Sequence, residues 1–211
     1  MVTLVVVFVL LVAVAGGAVA LVQHNHTTPA ASATHVSGGT KVSGKGVSVT
    51  LPPGWTNIPT SPDQFAKYLD SAAKDNPKLA RQLTAQMKAA TSNALIMLAV
   101  RSSDASADFS TNVDLGVAPS DGATAAQGVD SLKSQLTAAG TENVVGSVQP
   151  IAGHDALLAT YDVHIGATGM LVHSAAYAVI GPTQIAFLAV TTTGPDAAAA
   201  ARQIAATITF D

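Results

Sequence analysis

The sequence predicts an α+β protein: an antiparallel β-sheet flanked by helices, preceded by an N-terminal transmembrane helix. Three patterns lead to this prediction: an uncharged apolar run at the start, stretches in which apolar and polar residues alternate, and stretches with apolar residues three or four positions apart. They divide the chain into a transmembrane anchor or signal segment (1–22), a flexible Ser/Thr/Gly linker (23–45) and an α+β domain (46–211). We expect the domain to fold on its own, because only this part has the periodic apolar pattern of a core.

Residues 1–22 contain no charged side chain, and most are Val, Leu, Ala, Phe or Gly. As a helix with a rise of ~1.5 Å per residue they would cross a hydrocarbon core of ~30 Å. Ala18 and Ala20 form an A-x-A cleavage site, but the run exceeds the ~7–15 apolar residues of a signal peptide, and no Lys or Arg precedes it. A retained anchor is favoured over a cleaved signal peptide, and both over a buried core helix. The domain is then extracytoplasmic, held at the cell membrane by a single pass or secreted.

Composition excludes several classes of function. The chain has no cysteine, which rules out disulfides, thiolate zinc sites and a lipid-modified cysteine. Charged residues make up only 11% and the formal net charge is −3, so no basic surface for nucleic acid is predicted. The sequence also lacks G-x-S-x-G, H-E-x-x-H and phosphate-cradling glycine motifs. No catalytic residue and no cofactor are therefore predicted.

Residues 23–45 have no apolar periodicity and are rich in Ser, Thr, Gly and His. Such a segment cannot bury enough apolar surface to offset the entropy of ordering it. His24, His26 and His35 are close enough in sequence to bind a divalent metal, but a plain spacer explains the composition better. We therefore predict a flexible tether here.

The first half of the domain predicts a strand, two helices and a second strand. Val47, Val49 and Leu51 alternate with polar residues until a Pro-Pro-Gly turn, after which Trp55 is expected to cover the core. Pro62 begins a helix, and Pro77 begins another, since proline is tolerated in a first helical turn. The apolar faces of these helices are Phe65, Tyr68, Leu69 and Ala72, and then Ala80, Leu83 and Met87. Residues 94–100 are apolar throughout and predict a strand covered on both faces.

The second half predicts a strand, a helix, an antiparallel meander and a last helix. Residues 109–117 form the strand, and Ala125, Val129, Leu132 and Leu136 form a helix that Gly140 ends. Four strands are then predicted at 144–148, 156–165, 170–180 and 184–192. The apolar face of the last helix consists of Ala197, Ala201, Ile204 and Ile208.

One group of polar residues is a candidate site. If residues 166–169 close a hairpin, Asp162 lies opposite His173, and His164 shares their sheet face because side chains alternate with a period of two. Two imidazoles and a carboxylate are the ligand set of a metal site, or a base with its orienting acid. The alternative is a polar strand end in contact with solvent, and this is the preferred interpretation of Asp162, His164 and His173.

The order of several short motifs resembles the PsbP/Mog-like fold. Residues 46–55 are similar to its opening strand, Leu-Pro and Gly-Trp, and 109–113 to its second characteristic strand. Residues 153–156 (Gly-His-Asp-Ala) and the Thr-rich end at 191–193 match the rest of the pattern. Within this fold the chain resembles extracytoplasmic actinobacterial proteins, including LpqN-type lipoproteins. It departs from those lipoproteins in having no lipobox cysteine, so its anchor would have to be the apolar N-terminal segment.

The resemblance implies interaction rather than catalysis, because the known members are chiefly binding or assembly factors. The expected function is a membrane-tethered, extracytoplasmic, non-catalytic binding module, and its partner would be an envelope protein or a small, lipid-like ligand. Two alternatives remain open: a metal-binding protein or metal-dependent enzyme that uses Asp162, His164 and His173, and a structural component of the cell envelope. A partner nucleic acid is not expected.

Overall fold

The structure is a computed structural model that describes residues 32–36, 38–75, 80, 84, 95–101, 103, 109–122, 124–165 and 169–211. The predicted transmembrane helix over 1–22 lies outside these residues. Within them, no helix has both the length and the apolar character needed to cross a membrane. Of the second predicted helix, Ala80 and Thr84 are helical and Ala80 is buried, while Leu83 and Met87 lie outside the described residues.

An antiparallel sheet of seven strands forms the centre of the molecule, and we call it the main sheet. Its strands follow the order β4-β5-β6-β10-β9-β8-β7. Their bounds are Trp55–Ile58 (β4), Leu95–Arg101 (β5), Asn112–Pro119 (β6), Glu142–Val148 (β7), Asp155–Ile165 (β8), Met170–Ile180 (β9) and Gln184–Thr192 (β10). The predicted meander is confirmed. Every strand of the main sheet is antiparallel to its neighbours. The short connections from β8 to β9 and from β9 to β10 require this direction for those pairs.

A small sheet of four strands has the order β1-β2-β3-β11. It consists of Ser32–Val36 (β1), Gly39–Gly44 (β2), Val47–Leu51 (β3) and Thr209–Phe210 (β11). The prediction of a flexible linker up to residue 45 is therefore wrong for β1 and β2. Alternation is hard to see in β2 because Val42 is its only large apolar residue, but Val42 is 0% exposed and belongs to the core.

Three helices lie on the two faces of the main sheet: α1 (Pro62–Asp75), α2 (Ala125–Ala138) and α3 (Ala197–Ala205). The small sheet and α3 pack on one face of the main sheet and share a core with it. This core includes Val49, Leu115 and Ile204. On the other face, α2 packs over β7 and β8, and Phe65 of α1 packs against the buried side chains of β4 and β5. The helix-flanked antiparallel sheet that the sequence predicted is confirmed for the described residues.

Trp55 covers the core, as predicted, and is almost fully buried. The Arg101 guanidinium lies 5.5 Å from the centroid of the Trp55 ring, a cation–π distance. Arg101 also forms an ion pair with Asp196 at the start of α3 (3.0 Å). The tryptophan is thus part of the packing between β4, β5 and α3.

Candidate functional site

The register of the β8–β9 hairpin is the one that the sequence predicted. Asp162 pairs with His173, His164 pairs with Leu171, and Glu142 of β7 pairs with Asp162. Because directly paired residues share a face of the sheet, these five side chains lie together on the face that carries α3. We call Glu142, Asp162, His164, Leu171 and His173 the hairpin-end surface. Leu171 is 41% exposed.

Asp162 and His173 form the closest contact of this surface. The His173 Nδ1 and Asp162 Oδ1 atoms are 2.7 Å apart, and Asn143 Nδ2 donates to Asp162 Oδ2, also at 2.7 Å. The hydrogen bond from Asn143, followed by the interactions with His173 and His164, holds the pKa of Asp162 below its ordinary value despite some desolvation. The ionised carboxylate can only accept, so Nδ1 of His173 carries the proton.

His164 is oriented by a different acceptor. Its Nδ1 lies 2.9 Å from the carbonyl oxygen of Gly169, and a carbonyl also can only accept, so Nδ1 is again the protonated nitrogen. Its Nε2 lies 3.7 Å from Oε2 of Glu142, a distance that permits an ion pair when the imidazole is protonated. Both imidazoles are thus tied to the sheet through Nδ1; Nε2 of His164 lies beside Glu142, and Nε2 of His173 is left to face a ligand.

Separate partners hold the three predicted residues in this structure. The carboxylate oxygens of Asp162 are occupied by His173 and Asn143, while His164 interacts with Gly169 and Glu142 instead. Asp162 therefore orients the imidazole of His173. No group of three or more His, Cys, Asp or Glu side chains in the described part of the chain is arranged to hold a metal ion.

The Asp162–His173 pair has the arrangement of a base with its orienting acid. Its chemistry depends on what approaches Nε2 of His173, and this atom has no protein partner among the described residues. At Nε2 the pair can accept a hydrogen bond, or donate one when the imidazole is protonated. The arrangement is suited to recognition of a polar group.

Sequence reasoning missed a second polar group, which lies on the face of the main sheet that α2 covers. Asp114 is 8% exposed and Tyr161 is 3% exposed. Burial raises the pKa of Asp114 to about 8. Burial, and then the carboxyl of Asp114, raise the pKa of Tyr161, while a hydrogen bond with Ser174 opposes that change. The signal in the sequence was the single acid between Val113 and Leu115 in an apolar strand.

Comparisons with known proteins concern the fold. No known protein family and no curated protein sequence matches the chain. The solution structure of cyanobacterial PsbP (CyanoP) from Synechocystis sp. PCC 6803 is similar, with a TM-score of 0.48 and 11% identity over 79% of this chain and 87% of that chain. The crystal structure of Mycobacterium tuberculosis LpqN, described as involved in cell envelope biogenesis, has a TM-score of 0.49 and 13% identity over 77% of this chain and 82% of that chain.

These two structures come from the two groups of proteins that the sequence motifs resembled. The similarity concerns the course of the backbone.

Proposed function

We propose that this protein is a membrane-tethered, extracytoplasmic, non-catalytic module that binds an envelope protein through the hairpin-end surface. One observation carries the proposal: two imidazoles are each held by an acceptor at Nδ1, next to the exposed Leu171, on paired strands of the main sheet. The proposed location is supported by the uncharged apolar segment 1–22 of the sequence.

The geometry favours recognition for an energetic reason. A side chain that is already oriented loses little conformational entropy when a partner binds it. His164 and His173 are ordered in this way, and Leu171 supplies apolar area whose burial against a partner is favourable. A small, lipid-like ligand would instead need a concave apolar site. The side chains of the hairpin-end surface are partly exposed, with Glu142 61%, His164 52% and Leu171 41% exposed, which suits a protein partner.

Site-specific photo-crosslinking in the host membrane tests the partner. With a photo-reactive amino acid at Leu171, we expect a discrete protein adduct. The matched control places the same amino acid at Lys67, an exposed position on α1, and should not produce that adduct. The double substitution His164→Ala and His173→Ala should reduce the adduct from position 171.

The same adduct from both positions, or no protein adduct from Leu171, would contradict the proposed surface. An adduct with lipid alone would favour a lipid-like ligand instead. Protease treatment of intact cells tests the location: the domain should be membrane-bound and digested from outside. Full-length protein in the cytosolic fraction would exclude both the anchor and the signal peptide.

A further inference from the structure

The outer edge of the main sheet is formed by β7. Among the described residues this strand pairs with β8 alone, and the other side of its backbone has no strand partner there. Val145 and Val148 are 62% and 44% exposed, and they are two of the three exposed large hydrophobic residues in the described part of the chain. At the opposite edge, β4 is only four residues long, which limits pairing with another chain. Among the described residues, nothing comparable limits the pairing of the second half of β7 with another chain.

The backbone of β7 presents alternate residues to this open edge. The N–H of Gln149 donates to the carbonyl of Ala156, its direct partner after β7, at 2.8 Å. Gln149 therefore faces β8. Because antiparallel strands alternate between hydrogen-bonded and non-hydrogen-bonded pairs, Ser147 also faces β8, while Gly146 and Val148 direct their N–H and C=O groups outward.

The open stretch has defined ends. A β-bulge between Glu142 and Val145 interrupts the regular pairing on one side. Pro150 ends it on the other, because proline has no N–H to donate. Residues 145–149 between these limits contain no charged side chain. Charge is a common means by which edge strands avoid association, and it is absent from this stretch.

We propose that β7 pairs antiparallel with β7 of a second copy of this chain, across a two-fold axis perpendicular to the sheet at Ser147. Gly146 of each copy then exchanges N–H···O=C bonds with Val148 of the other, and the two Ser147 residues lie opposite each other. This register joins the outward-facing residues of both strands and keeps each residue on its own face of the sheet. The interface is isologous, so each copy contributes the same patch.

The side chains in this register are complementary. A Cβ at Gly146 would lie 3.3 Å from Cγ1 of Val129 and 3.2 Å from Cε of Lys133, so these two α2 side chains border the space above the glycine. In this register Val148 of the second copy lies directly opposite Gly146, which has no side chain of its own, and packs against Val129. The two-fold axis repeats this contact, which buries the exposed Val148 of both copies.

These features favour a second copy over a different partner. The outward backbone groups, the glycine and the valine that covers it all lie within one strand, so an identical strand supplies every complementary group. The uncharged stretch 145–149 places no like charges opposite each other. The two hairpin-end surfaces of the dimer then lie on the same face of one continuous sheet.

Cysteine crosslinking of the full chain in its membrane tests the register. The chain has no cysteine, so a single introduced cysteine reports on one position. Directly opposite residues have Cβ atoms ~4.5–5.5 Å apart, close to the range of a disulfide. We expect oxidation to convert most of the Ser147→Cys variant into a covalent dimer. Ser131→Cys, a half-buried serine on α2, should remain largely monomeric.

Sedimentation velocity of the full chain in mild detergent tests the association itself. The unmodified chain should dimerise with increasing concentration, and Val148→Lys should weaken the dimer at least tenfold, because it adds a charge to the paired edge. Leu171→Lys, which alters the hairpin-end surface, should leave the dimer intact. A wild-type chain that stays monomeric would overturn the proposal. So would a dimer that survives Val148→Lys, or equal crosslinking of the two cysteine variants.

Discussion

At the scale of single residues, the buried Asp114 makes the stability of the described domain depend on pH. Its pKa is raised from 3.8 to about 8 in the folded chain by burial. The folded state therefore holds this proton more tightly than the unfolded state does. The resulting stabilisation is complete below pH ~4 and is lost as the pH rises toward ~8.

We predict that Asp114→Asn flattens this dependence, because asparagine stays neutral in the same space. Chemical denaturation of the unmodified chain should show a free energy of unfolding that falls between pH ~4 and ~8, by up to ~1.4 kcal/mol per pH unit. The Asp114→Asn variant should lack that slope. Asp130→Asn, at an exposed position on α2, is the control and should keep it. Equal slopes in all three proteins would mean that Asp114 is ionised in the folded chain.

In the hairpin-end surface, the sequence predicted which residues pair across the strands but not which side-chain contacts they form. The hairpin turn and the period of two correctly placed Asp162 opposite His173. The contacts with Asn143 and the Gly169 carbonyl depend on side-chain orientation and on the neighbouring β7, so no spacing rule could supply them. These contacts orient the two imidazoles separately, His173 through Asp162 and His164 through the Gly169 carbonyl.

At the scale of elements, α2 begins with help from a residue distant in sequence. The backbone N–H of Ala125 donates to Oδ2 of Asp155, the first residue of β8, at 3.2 Å. The N–H of Thr124 donates to Oε1 of Gln127 at 3.3 Å. A carboxylate next to the first turn satisfies a free N–H and interacts favourably with the positive end of the helix dipole.

We predict that Asp155→Ala lowers the free energy of unfolding by about 0.5–1 kcal/mol, the usual value of such a contact. Urea denaturation of the variant and the unmodified chain measures the difference. Asp130→Ala, in the middle of the same helix, should change stability by less than about 0.5 kcal/mol, as surface substitutions usually do. A similar loss in both variants would show that Asp155 does not cap the helix.

At the scale of the whole molecule, the folded domain begins before the boundary that the sequence predicted. Strand β2 pairs with β3 over five residues, from Thr40 with Leu51 to Gly44 with Val47. A chain that begins at Gly46 would lose this ladder and the buried Val42, and would expose one edge of β3. The domain predicted from residue 46 therefore lacks part of its own core.

We predict that a chain beginning at residue 32 unfolds cooperatively, whereas one beginning at residue 46 is strongly destabilised or aggregates. Fluorescence of Trp55, the only tryptophan, follows unfolding in urea. A chain beginning at residue 38 removes β1 alone and should keep most of the stability, because β1 contacts only β2 within the small sheet. Equal stability of the chains from 32 and 46 would restore the boundary that the sequence predicted.

The sequence by itself determined the fold class, the antiparallel meander and the β8–β9 register, since these depend on local periodicity and turn residues. Asp155 at the start of α2, Asn143 beside Asp162 and the buried Asp114 were decided by tertiary structure, because each contact joins residues far apart along the chain. The same holds for β2, whose one large apolar residue gives too weak a pattern to predict a strand. Its pairing with β3 and the burial of Val42 supply the free energy that its own sequence does not reveal.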